Sequence, residues 1–127
     1  MNDNRYATIE SMVGRTFVRI DAGDDAIVFV EDNGARWTFF HEQDCCEDVR
    51  VDDVSGAWDD LCGAPLLRAE ESVSGAPPAE DTRACSEGSE TWTYYKFGTV
   101  KGDVDVRWYG TSNGYYSESV SLHRTDK

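Results

Sequence analysis

The sequence predicts a mostly β domain, α+β only in carrying minor helix: an antiparallel sheet roll, sandwich or partial barrel with one or two short helices. Three observations carry this. Apolar and polar residues alternate over several short segments rich in β-branched and aromatic side chains. Turn-forming stretches separate those segments, two of them Asn-Gly. No apolar pattern of helical period extends beyond about ten residues.

The elements follow in order. Thr8 to Gly14 reads as a short helix ending at a glycine. Thr16 to Asp21 alternates as a strand, with Phe17 on the face opposite Val18 and Ile20. Gly23-Asp24-Asp25 makes a tight turn into the apolar run Ala26 to Val30, and Asn33-Gly34 turns the chain again into Arg36 to Phe40. These three strands form a meander. Val49 to Val54 adds a strand, and Ser55 to Leu61 reads as one helical turn capped by Ser55 and ended by Gly63-Ala64-Pro65. Leu66 to Val73 is a further strand. Residues 74–89 shift to Gly, Pro and acidic residues and read as a flexible loop within one domain spanning 1–127. Strands resume at Thr91 to Phe97 and Val104 to Tyr109, joined by a Lys101-Gly102-Asp103 turn. Asn113-Gly114 turns into a last alternating segment, Ser117 to His123, with Val120 and Leu122 on one face.

At 127 residues the chain suits a single core, since one core serves about 100–150 residues. The apolar fraction of 39% is lean, and four Trp, six Tyr and five Phe offset it with large buried areas. No run approaches the roughly 20 apolar residues of a membrane span, and the first residues lack the features of a signal peptide, so a cytoplasmic location is expected. Cys45, Cys46, Cys62 and Cys85 are then expected to be reduced, and the adjacency of Cys45 and Cys46 is poor geometry for a mutual bridge. The net charge of −13 disfavours direct contact with nucleic acid or anionic membranes. It suits a partner with a basic surface, or plain solubility.

Two stretches concentrate side-chain chemistry. The first is His41-Glu42-Gln43-Asp44-Cys45-Cys46-Glu47-Asp48, directly after the third strand. His41, Cys45 and Cys46 are the candidate metal ligands, but Cys62, Cys85 and His123 complete no standard zinc spacing. As a nucleophile, Cys45 or Cys46 with His41 as base meets an opposing field. Eight acidic residues from Glu42 to Asp60 face only Arg50, and negative surroundings raise a thiol pKa. The structural alternative is that buried thiols anchor an acidic loop. The second stretch runs from Arg107 to Glu118. Its Arg107, Trp108, Tyr109, Asn113, Tyr115 and Tyr116 read either as a hairpin covering the core or as an aromatic contact surface, which would also serve a homo-oligomer. No cofactor motif is present, and the pairs Asp52-Asp53 and Asp59-Asp60 fit no EF-hand loop.

His41 to Glu47 and Arg107 to Glu118 resemble the two signature stretches of a small domain of unknown function common in bacteriophage and prophage genomes. The opening Met12-Val13-Gly14, the acidic Trp58 to Leu61 and Trp92 to Lys96 fit the same plan, from about Ile9 to Leu122. The resemblance implies a phage or prophage origin and supplies no activity. By analogy, small acidic phage proteins without catalytic motifs bind host proteins, and fixed carboxylates can occupy a channel shaped for phosphates. The expectation is therefore a non-enzymatic protein of the host cell cytoplasm that inhibits a host factor such as an antiviral defence component. Glu42, Asp44, Glu47, Asp48, Asp52, Asp53, Asp59 and Asp60 supply its acidic face. The alternative is a small-molecule or metal-binding domain, a thiol-dependent enzyme included, centred on His41, Cys45 and Cys46.

Overall fold

A computed structural model describes residues 6–42, 47–74, 89–112 and 118–125. Among these residues the period-two segments become eight strands: β1 Phe17–Ala22, β2 Ala26–Glu31, β3 Arg36–Phe40, β4 Asp48–Ser55, β5 Arg68–Ser74, β6 Ser89–Thr99, β7 Gly102–Ser112 and β8 Ser121–Thr125. They pair antiparallel in two four-stranded sheets, ordered β1-β2-β3-β8 and β4-β7-β6-β5, and the sheets do not close into a barrel. Of the predicted architectures, the sandwich is therefore the one adopted. No helix among the described residues is long and apolar enough to cross a membrane.

The two turns predicted in the meander form as expected. At Asn33-Gly34 the Asn33 Oδ1 accepts the Ala35 N–H at 2.9 Å, and Gly34 takes a φ of 93°, in the left-handed region that glycine adopts without strain. Alternation then turns Ile27, Phe29, Trp37 and Phe39 inward from the first sheet and Tyr95, Phe97, Val104, Val106 and Trp108 inward from the second. Aromatic rings meet across the gap. Phe29 lies 5.1 Å from Phe97, and Phe39 lies 4.7 Å from Tyr95 and 5.7 Å from Phe97, between ring centroids. Phe29 also meets Phe17 and Trp58 edge-on, an arrangement the ring quadrupoles favour.

One face assignment is corrected. A bulge between Phe17 and Arg19 spends an extra residue of β1 against β2, so Phe17 and Ile20 share the core side while Val18 stays exposed. Alternation alone could not show that residue. The two expected helices are single 3₁₀ turns, Ile9–Met12 and Trp58–Leu61, and each delivers one fully buried side chain, Met12 and Leu61. Ser55 is the last residue of β4 and caps nothing; Ala57 stands at the cap, without a side-chain bond. Between them Gly56 has φ 111°, and a Cβ there would lie 2.4 Å from the Asp103 carbonyl oxygen, so only glycine lets the chain pass β7. Strands β6 and β7 extend beyond their predicted ends, and β8 begins at Ser121. Residues 75–88 of the predicted loop and the Asn113-Gly114 turn lie outside the described residues.

A charged group closes the Trp37 side of the sandwich. Glu31, 5% exposed, accepts the Trp37 indole N–H at 2.9 Å and an Arg15 N–H at 3.2 Å. The Arg15 and Arg124 guanidinium carbons lie 5.5 and 5.2 Å from the Trp37 ring centroid. Phe29→Ala, which empties the centre of the ring layer, is expected to cost about 3–5 kcal/mol. Urea unfolding should show this as a lower midpoint with an unchanged slope.

Candidate functional site

His41 leaves β3 and Glu47 enters β4, and the structure brings their side chains together. His41 Nε2 lies 2.9 Å from Glu47 Oε2, and His41 Nδ1 donates to the Ser119 carbonyl oxygen at 2.7 Å. The two side chains are 5% and 0% exposed. A carbonyl oxygen can only accept, so Nδ1 carries a proton, and the remaining proton lies between Nε2 and the carboxylate. Both ring nitrogens are thus engaged inside the fold, leaving His41 no lone pair for a metal ion and no free basic nitrogen for a thiol. It acts instead as a joint between the β3–β4 connection and the segment before β8. Glu47 correspondingly leaves the acidic face, because a buried, paired carboxylate presents no surface charge. Asp44, Cys45 and Cys46 lie outside the described residues.

Strand alternation divides the aromatic hairpin. Trp108 is buried in the core, which removes it from any contact surface. Arg107 and Tyr109 face the other way. Arg107 Nε donates to Asp52 at 2.8 Å, and Tyr109 packs 4.9 Å from Trp92 while its hydroxyl donates to Glu90. Asn113, Tyr115 and Tyr116 lie outside the described residues. Glu118, not singled out by the sequence, is buried. Its oxygens accept the hydroxyls of Thr91, at 2.6 Å, and Ser112. A Cβ at Gly110 would stand 3.0 Å from the Glu118 Cβ, which is why a small residue faces this carboxylate.

The remaining acidic candidates are scattered over different partners. Asp48 is exposed and paired with Arg50 at 2.9 Å, and Asp52 is half-buried against Arg107. Asp53 and Asp59 are exposed, while Asp60 packs under the β6–β7 hairpin beside Gly102. Glu42 sits on the first sheet's side, accepting from the Tyr6 hydroxyl and from Ser121 Oγ at 3.1 Å, with His123 Nε2 at 3.9 Å. Sequence reasoning missed Asp24 and Asp25. The Val51 N–H donates to the Asp24 carbonyl oxygen at 2.6 Å, which pins the β1–β2 turn against β4. Asp24, Asp25, Asp48, Val49 and Arg50 then line a recess of about 350 Å³. Only the turn composition of Gly23-Asp24-Asp25 hinted at this, since its docking partner lies in another sheet. Among the described residues no three His, Cys, Asp or Glu side chains group to hold a metal ion.

The family model for a domain of unknown function, DUF7448, matches residues 10–122. The chain belongs to this family. No curated protein and no solved structure matches it.

Several groups of the DUF7448 domain titrate away from their usual ranges. The Tyr6 hydroxyl bond holds the Glu42 carboxyl below the usual carboxylate range; burial opposes it, and Ser121 and the two histidines add smaller contributions in the same direction as Tyr6. The Tyr95 phenol is pushed far up, first by burial and then by donating to Glu71 at 2.6 Å. The half-buried Cys62 thiol is raised by burial and then by Asp59, so it stays protonated and unreactive at neutral pH.

Two outcomes follow from these geometries. Glu47→Ala leaves the buried His41 without its partner and is expected to lower stability by about 3–5 kcal/mol, measured by urea unfolding. Tyr95 holds its proton more tightly folded than unfolded. Its contribution is therefore complete below the ordinary phenol value of about 10 and is lost as pH rises beyond it. The urea midpoint of the wild type should fall through that alkaline range, and Tyr95→Phe should flatten the fall.

Proposed function

We propose that this domain is a non-enzymatic binding protein of phage or prophage origin, which acts in the host cytoplasm by inhibiting a host factor through that factor's basic surface. An antiviral defence component is the leading case. The observation supporting this is the pinned β1–β2 turn. Held against β4 by the Val51–Asp24 backbone bond, it sets Asp24 and Asp25 in fixed positions beside the strand that carries Asp48 and Asp53. Asp24, Asp25 and Asp53 are exposed and make no side-chain ion pair among the described residues. Fixed carboxylates without cations of their own are available to the Lys and Arg of a partner, and such rims chiefly speed association and set its salt dependence. Glu47 and Asp52 belong to the fold's internal pairs and are not part of this surface.

The test is capture from host lysate at low and at high salt. A partner retained at low salt and released at high salt is expected, and Asp24→Asn/Asp25→Asn/Asp53→Asn should slow its association by about tenfold or more. Retention of no basic protein at low salt, or full retention by the triple variant, overturns the reading.

A further inference from the structure

A cavity of about 340 Å³ opens between the N-terminal segment and strands β5, β6 and β8. Its floor is apolar, made by the buried Phe39, Tyr95 and Leu122 with Ile9 beside them. Glu10 and Glu71, both exposed, also line it, and among the described residues no Lys, Arg or His does.

Glu71 occupies an unusual position. Register sets Ala69 against Phe97 and Glu71 against Tyr95, so Glu71 continues the core-facing row of β5, where an apolar residue would extend the sandwich. Instead the Tyr95 hydroxyl, itself at the edge of the ring layer, donates to Glu71 Oε2 at 2.6 Å and orients the carboxylate along the cavity wall. Among the described residues neither the other Glu71 oxygen nor the Glu10 side chain has a partner. Departures from local folding rules that nothing else compensates concentrate at functional positions. A neighbouring cavity of the same size shares Glu71 and Val120, but its buried carboxylate, Glu118, has both oxygens taken by hydroxyls and offers no free acceptor.

We propose that the first cavity binds an organic cation with a hydrocarbon body, an alkylguanidinium or alkylammonium group. The charged head meets Glu71 and Glu10, and the carbon chain lies on Phe39, Leu122 and the Tyr95 ring. Both halves of the wall are needed: the carboxylates select the charge, and the aromatic floor favours a weakly hydrated cation over a small metal ion. The site is separate from the turn at Asp24 and does not depend on the function proposed above. The head group has two sources, a free amine or guanidine and the Arg or Lys side chain of a protein.

The test is titration of the isotope-labelled full chain at low salt, followed by amide chemical shifts. The probes are n-butylguanidinium, its uncharged isostere n-butylurea, and N-acetyl-arginine N-methylamide. With n-butylguanidinium, saturable shifts are expected to cluster at Ala7 to Glu10, Glu71, Tyr95 and Val120 to Leu122, and n-butylurea should leave these signals in place. Glu71→Gln should weaken binding by at least about tenfold. Glu70→Gln removes the same charge from the opposite face of the same strand and should change affinity by less than about twofold. Binding of the blocked arginine as well marks a receptor for protein side chains; binding of n-butylguanidinium alone marks a small-molecule site. The proposal is overturned by shifts spread over the whole surface, by equal loss in the Glu70 and Glu71 variants, or by equal binding of n-butylurea.

Discussion

The ring layer between the two sheets is the interaction on which the remaining structure depends. Described backbone bonds tie the sheets together at few places, among them Leu66 to Arg15 and Val51 to Asp24. The separation and alignment of the sheets are otherwise set by Phe29, Phe39, Tyr95 and Phe97. Apolar burial of this kind is strong but directionless, so the tilted and edge-to-face contacts of the rings fix which strand lies over which. The polar features are arranged around it. On the Trp37 side the layer is closed by Glu31 and two arginines, and on the Tyr95 side it gives way to the cavity beside Glu71.

A second regularity runs through the molecule. With 25 acidic residues against 12 Lys and Arg, there are too few cations to pair every carboxylate. Many are held by neutral donors instead: Glu42, Glu71 and Glu90 by tyrosines, and Glu118 by Thr91 and Ser112, while Glu31 adds an indole to its arginine partners. Hydroxyl donors satisfy a carboxylate without removing its charge, so the protein keeps its negative field while leaving few carboxylates unbonded inside. Part of its tyrosine and threonine content serves this purpose, beyond covering the core.

Much of the fold was legible because alternation and turn chemistry are local. Asn33-Gly34 and the run Ala26 to Val30 specified the meander, and alternation through Arg107-Trp108-Tyr109 separates the core Trp108 from its neighbours. What was not legible was non-local. The bulge in β1 is visible only against β2. His41 finds the carbonyl of Ser119, distant in the chain, and Asp24 finds Val51 in another sheet. The composition of the His41 to Glu47 stretch left ligands, a nucleophile and a structural anchor open, and the geometry makes its two described ends a buried joint, because proximity in sequence does not say which way a side chain turns.

The bulge in β1 has a consequence for how the molecule behaves in a crowded solution. Strand β1 ends the first sheet, and a regular, flat, apolar edge there would template the addition of a strand from a second copy. The extra residue between Phe17 and Arg19 breaks the repeat of the backbone donors and acceptors, and the Arg19–Asp21 ion pair at 3.1 Å adds charge along the same edge. The irregularity that carries Ile20 inward to complete the core thus also makes the edge a poorer template for its like.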